Sequence, residues 1–303
     1  MYINLNIYKQ NMNKVFRRIF IVLALSMSLQ ASAIVSTDSL YSEVLGEWVK
    51  YNVYRPANFD DSGATRYPVL YQLHGLSDFY GSWNNNAQIG EVVDQLLAEN
   101  KIREMVIIMP NAGGPDTRNT WNGYFNMPGH NYEDFFFQEL VPTVEKKYHI
   151  VGDKEHRAIS GLSMGGGGST VYCQKHPDMF SSCYAMSAWL DNSDNLQEAE
   201  VNKLYYVIRA VQENSALRFV EQADDATLEK LRTVKWFFDI GDDDFLLEQS
   251  EKLHMLMRNK RVKAELRVRD GNHSWGYWKS ALYTSLPFVS RNFADDSAAQ
   301  TKQ

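Results

Sequence analysis

The chain has 303 residues and a formal net charge of −6, with 44% hydrophobic and 22% charged residues. Those proportions exclude an intrinsically disordered chain and allow one large domain or two small ones. The acidic balance makes nucleic acid and anionic membrane surfaces poor partners.

Lys14, Arg17 and Arg18 precede the apolar run Ile19 to Leu25, which leads on to Ala31-Ser32-Ala33. A basic segment, a short apolar segment and an Ala-x-Ala site in that order predict a secretory signal peptide over 1–33, cleaved after Ala33. The apolar run falls short of the ~20 residues needed to span a bilayer. No cysteine sits at the cleavage point for a lipid anchor. Met12, just ahead of the basic residues, is an alternative start. Cleavage removes Lys9, Lys14, Arg17 and Arg18 and moves the net charge from −6 to −10. The expectation is a secreted or periplasmic protein.

From Thr37 to Tyr54 apolar and polar residues alternate on either side of Gly46, which predicts an antiparallel hairpin. Short apolar runs follow at Val69–Leu73, Met105–Met109, Arg157–Ser160, Ser182–Ser187, Trp236–Ile240 and Ala264–Val268. Such runs fit strands buried on both faces of a parallel sheet. Between them, Glu91–Glu99, Tyr132–Tyr148, Leu246–Asn259 and Tyr277–Phe293 have helical apolar spacing. The alternation predicts a mostly parallel sheet with helices on both faces and an antiparallel start. The stretch 191–233 breaks the rhythm and reads as a helical, cap-like insertion at the sheet's C-terminal edge. Residues 34–293 form the expected catalytic domain, and the small, polar segment 294–303 reads as a flexible tail. Cys173, in a helix, and Cys183, in the next strand, read as core thiols, and no spacing of Cys or His suggests a metal site.

The chemistry concentrates in Gly161-Leu162-Ser163-Met164-Gly165. This G-x-S-x-G motif follows a strand-like segment and opens a helix-like one reaching about Lys175, which is the context a nucleophile elbow requires. The run Gly165–Gly168 would loosen the start of that helix. A serine needs a base, and the base needs an orienting acid, arriving in the order Ser, Asp or Glu, His in the α/β-hydrolase fold. Of seven histidines only His273 follows a strand after a candidate acid. His254 lies mid-helix, and His130, His149, His156 and His176 read as solvated groups at loops or helix ends. Asp242, Asp243 and Asp244 are all candidates, and spacing does not choose among them. The acid just before the apolar pair Phe245-Leu246 would be held against the core, leaving the other two to a solvated turn and a helix cap. The Met164 N–H supplies one oxyanion donor, and the His74-Gly75-Leu76-Ser77 turn supplies a second from Leu76. His74 itself reads as a packing residue of that loop.

These residues resemble the "putative esterase" (esterase D-like) family of α/β hydrolases. The resemblance is carried by Tyr71-Gln72-Leu73-His74-Gly75, by Arg157 through Gly166, by Gly241 to Leu246 and by His273-Ser274-Trp275-Gly276-Tyr277-Trp278. It runs from about Ser42 to Phe293 and is nearest to carbohydrate esterase family one, the feruloyl and acetylxylan esterases. It implies an α/β-hydrolase fold, catalysis without cofactors, and Asp244 as the acid, since the family's Gly-x-x-Asp-x-Leu pattern falls on Gly241, Asp244 and Leu246. Export with this resemblance implies an ester substrate, feruloyl or acetyl groups on plant cell-wall polysaccharide. Gly75, Trp83 and Trp275 are expected to contact substrate, with Trp121 a further stacking surface, and Trp278 to pack the last helix on the sheet. Two other readings stand beside it: an esterase or acyltransferase of the same fold acting on small, lipid or siderophore esters, and a non-catalytic carbohydrate-binding protein.

Overall fold

The computed structural model describes residues 34–193 and 201–295. The predicted signal segment, the middle of the insertion's first part and the end of the tail lie outside the described residues. Two strands, β1 (Ile34–Ser42) and β2 (Glu47–Arg55), form the expected hairpin, with Ser42 opposite Glu47 and Ile34 opposite Arg55. Then come β3 (Val69–Leu73), α1 (Ser82–Ala87), α2 (Ile89–Ala98) and β4 (Val106–Pro110). A two-stranded ribbon, β5 (Asn126–Met127) and β6 (His130–Asn131), precedes α3 (Tyr132–Phe135), a π-helical turn over Phe136–Leu140, and α4 (Val141–Lys147). Strand β7 (Arg157–Leu162) and α5 (Met164–Lys175) enclose Ser163, and β8 (Ser182–Met186) follows. The insertion supplies α6 (Lys203–Glu213), α7 (Ala216–Gln222) and α8 (Asp225–Leu231). The chain continues through β9 (Lys235–Gly241), α9 (Leu247–Asn259) and β10 (Ala264–Arg269) to α10 (Trp275–Arg291).

Eight strands form one sheet in the order β1-β2-β4-β3-β7-β8-β9-β10. The β1–β2 and β2–β4 pairs are antiparallel, and every pair from β4 onward is parallel. Alternate residues of each strand feed two separate cores. Val69, Tyr71, Leu73, Ile159, Cys183 and Phe238 face a core completed by the helices between Tyr132 and Met257. Leu70, Ala158, Leu162, Tyr184 and Phe237 face a second core under α1, α2 and α10. Both faces are apolar, so the strands read as continuous apolar runs rather than as alternation.

The structure corrects several expectations. Strand β10 is the sheet's edge and is half-buried, with Val268 exposed, so it is not covered on both faces as its apolar run suggested. His130 and His156 are buried, not solvated. His130 stacks on the Trp121 ring at 5.3 Å, and burial lowers its pKa to about 4. The first two residues of the expected tail are tied down: the Ala294 N–H donates to the Glu155 carbonyl, and Arg103 bonds the Ala294 carbonyl and the Asp295 carboxylate. Cys173 and Cys183 are buried free thiols.

Candidate active site

In a parallel sheet the loops at the strands' C-terminal ends converge on one edge, where ligands bind. Here those loops carry His74 after β3, Ser163 after β7, Ser187 after β8, Asp244 after β9 and His273 after β10. The elbow is built by close backbone approach. Ser163 has φ 52° and ψ −117°, a strained conformation for a residue with a side chain. Three main-chain hydrogen bonds hold it: its N–H donates to the Met186 carbonyl, and its own carbonyl accepts from the N–H groups of Gly167 and Trp189. A Cβ on Gly161 would lie 2.4 Å from the Gly165 carbonyl oxygen, and one on Gly167 2.0 Å from that of Trp189. The glycine run therefore tightens the start of α5 instead of loosening it, because it lets the helix seat directly against β3, β8 and the chain beyond β8.

The structure brings Ser163, His273 and Asp244 together. The Ser163 hydroxyl is 3.0 Å from His273 Nε2, and His273 Nδ1 is 2.9 and 3.0 Å from the two Asp244 oxygens. An imidazole whose Nδ1–H donates to a carboxylate presents a basic Nε2 to the hydroxyl, so this arrangement can activate a nucleophile. The Asp244 side chain is fully buried. Burial pushes its carboxyl pKa up, but hydrogen bonds from His273, the Leu246 N–H and the Ser187 hydroxyl outweigh that and hold it below its ordinary value. Asp242 has a different partner. It is exposed, and its carboxylate accepts the Gly271 N–H, tying the acid's turn to the histidine's turn. Asp243 is exposed as well.

Sequence reasoning missed the groups that orient the base and the acid. The Trp278 ring meets the His273 ring edge-on, 4.9 Å away at 90°. Its Nε1–H donates to the Ser187 hydroxyl at 2.9 Å, and that hydroxyl faces Asp244. Trp278 packs α10 as expected, and it also braces His273 directly and Asp244 through Ser187. Beneath them, buried Asp239 accepts hydrogen bonds from Tyr184, Tyr277 and Arg267, locking β9, β10 and α10 together. The one available signal was position: Ser187 directly follows β8, the strand next to the elbow's strand.

The turn after β3 lies against the serine. A Cβ on Gly75 would sit 3.5 Å from Ser163 Cβ and 2.6 Å from a Leu162 methyl. Leu76 follows, half-buried, and Met164 occupies the first position of α5, where a backbone N–H has no partner inside the helix. Buried His74 holds the turn in place. Its Nδ1–H donates to the Gly75 carbonyl and its Nε2 accepts the Ala112 N–H, the neutral tautomer, while burial drives its pKa down to about 4. The Tyr124 hydroxyl, another missed residue, bonds both the N–H and the carbonyl of His74.

The tryptophans divide. Trp83 is 0% exposed and donates its Nε1–H to the Leu73 carbonyl, so it is a core residue and not a substrate contact. Half-buried Trp275 meets Trp83 and Trp278 edge-on at 5.2 and 5.4 Å. Trp121 stacks with His130, and the Lys203 ammonium lies 5.3 Å from its ring centre. Phe245 is the reverse of the expectation: Leu246 is buried, but Phe245 points outward at 76% exposure. Of the insertion, α6 places Val207, Ala210 and Val211 against Gly123–Met127 and Met164, so its helical part reaches the elbow. Among the described residues no helix is long and apolar enough to cross a membrane.

Residues 42–289 match the family described as "Putative esterase". An endo-1,4-β-xylanase/feruloyl esterase of Xylanibacter ruminicola is 28% identical over 172 residues, covering 56% of this chain and 23% of its own length. This relative and two esterases of Mycobacterium tuberculosis are spanned over only 23–28% of their lengths. An acetyl esterase of Caldicellulosiruptor saccharolyticus is 22% identical over 74% of this chain and 83% of its own. A solved ferulic acid esterase is 46% identical, with a TM-score of 0.84 over 87% of this chain and 100% of that one. A ferulic acid esterase from Anaeromyces mucronatus, solved in complex with ferulic acid, shares the fold at 20% identity and a TM-score of 0.67, over 86% and 92% of the two chains. With its elbow, its sheet and the family match over residues 42–289, the chain belongs to the esterase family of α/β hydrolases.

Proposed function

We propose that this chain is an exported serine esterase that cleaves feruloyl or acetyl esters of plant cell-wall polysaccharide, with residues 34–293 as its catalytic domain and 1–33 as a cleaved signal. One observation carries the chemistry: the 3.0 Å contact between the Ser163 hydroxyl and an imidazole whose other nitrogen is held by a buried carboxylate. Names of relatives support the substrate class: a xylanase/feruloyl esterase, an acetyl esterase and a ferulic acid esterase.

In this reading the Ser163 oxygen attacks the ester carbonyl while His273 Nε2 takes its proton. The tetrahedral oxyanion forms beside the N–H groups of Leu76 and Met164, whose loss individually would cost ~10²–10³ in turnover. As the intermediate collapses, His273 returns the proton to the departing sugar oxygen, leaving an acyl-serine. Water, deprotonated by the same imidazole, then releases the acid and restores Ser163. Asp244 stays ionised and stabilises the imidazolium. The test is hydrolysis of nitrophenyl acetate with Ser163→Ala as control, followed by methyl ferulate, acetylated xylan and tributyrin compared on the mature protein. Preference for tributyrin over both plant-type esters would overturn the substrate class and leave the serine mechanism standing.

A further inference from the structure

Phe245 is an anomaly in its own turn. Asp244 and Leu246 on either side are 4% and 6% exposed, yet Phe245 is 76% exposed, more than any other large hydrophobic side chain among the described residues. A single exposed apolar residue is ordinary on a protein surface. This one stands against the triad: its ring centre lies 4.5 Å from that of His273, tilted by 45°. Trp278 and Ser187 already brace the base and acid from within the protein. The outer ring meets the imidazole from the solvent side and keeps most of its own surface open.

We propose that Phe245 is the platform for the alcohol half of the ester, stacking the sugar that carries the acyl group; this rests on the serine-esterase reading above. The order of events places the two halves of the substrate. The carbonyl oxygen must sit beside Leu76 and Met164, on the elbow side. The leaving oxygen must sit within reach of His273 Nε2, because that nitrogen returns the proton. A ring that touches the imidazole and opens to solvent therefore borders the alcohol and not the oxyanion. A polymer cannot be enclosed, so its recognition surface has to lie outside the buried site. A neutral pyranose or furanose presents a face of C–H groups that packs on an aromatic face. The charge of the surrounding turn does not oppose this, since a sugar alcohol is uncharged.

The experiment compares two esters with one acyl group and different alcohols: methyl ferulate, and ferulate on an arabinoxylan oligosaccharide. For wild type, Phe245→Ala and Phe245→Trp, the quantity read is the ratio of kcat/KM for the oligosaccharide ester to that for the methyl ester. Phe245→Ala is expected to lower this ratio on the order of tenfold, chiefly through KM, and Phe245→Trp to restore it. An unchanged ratio in Phe245→Ala overturns the proposal, whether activity on both esters stays level or falls together; a joint fall makes the ring a support for His273 only. If wild type hydrolyses nitrophenyl acetate but neither feruloyl ester, the substrate reading fails and this inference falls with it. If wild type discriminates between the two esters and Phe245→Ala discriminates equally well, only the Phe245 assignment fails.

Discussion

Ser163 and its two partners are held in place by different physics. On the elbow side, Ser163 is positioned by main chain against main chain, and the decisive residues are those that have no side chain, Gly161, Gly165 and Gly167. On the other side, His273 and Asp244 ride on turns after β10 and β9 and are positioned by side chains: Trp278, Ser187 and the Asp239 network with Tyr184, Tyr277 and Arg267. The first arm has no adjustable contact. The second is a set of hydrogen bonds and ring contacts, each of which can be weakened alone. Errors in the elbow should therefore cost the fold, and errors in the other arm should cost catalysis.

Gly167→Ala tests the first half, with the largest effect. Its Cβ would overlap the Trp189 carbonyl, and nothing there is a flexible side-chain end that could move aside. We expect a loss of about 4 kcal/mol or more of folding stability by urea denaturation, or no soluble protein. A variant that folds with near-native stability would show the elbow is more pliable than the packing implies.

Asp244→Asn tests the second half. It keeps the shape of the carboxylate and removes its charge, so kcat should fall by ~10⁴ while the thermal midpoint moves little. Asp242→Asn should keep most activity, because that carboxylate only accepts the Gly271 N–H. The opposite ranking would place the acid at the wrong aspartate. A smaller effect is expected from Trp278→Phe, which retains a ring against His273 and deletes the N–H that Ser187 accepts. Misplacement of the acid by a fraction of an ångström should lower kcat about tenfold with KM unchanged, and Ser187→Ala should do the same. If either variant lost folding stability in proportion to activity, Trp278 would be a packing residue and no more.

The smallest effect is a matter of pH. His74 and His130 both have folded pKa values lowered by burial from 6.5 to about 4. Between those limits the unfolded chain binds protons that the folded chain refuses, so stability is highest above pH 6.5 and falls as the pH drops toward 4. Unfolding midpoints in urea across pH 7 to 4 should show an uptake of about two protons on unfolding near pH 5. A flat profile over that range would mean that these imidazoles protonate in place. Because His74 holds the turn carrying Leu76, and Gly165 of the elbow packs on its carbonyl, its charging should also reach the active site.

The elements that could be read from sequence are those whose instructions are local. A strand, a tight turn and a helix within some twenty residues mark the elbow, and α5 ends at Lys175 where the pattern placed it. Order along the chain singled out His273, and two-sided burial made the central strands visible as apolar runs. Adjacent residues in one turn share composition and spacing, so spacing does not separate Asp242 from Asp244, which only the family resemblance did, nor does it show that Phe245 and Leu246 face opposite ways. What separates them is which side chain points at α10, β8 or water once distant strands have paired. Trp278 finds Ser187 across 91 positions, and His273 finds Ser163 across 110. Trp83 reads as a substrate contact, but α1 buries it in the core against central strand β3, with its N–H on the Leu73 carbonyl. A local motif singled out Ser163 and chain order His273; burial and direction, set by contacts remote in sequence, belonged to the tertiary structure, because a hydrogen bond or a covered face requires a partner that no local pattern can name.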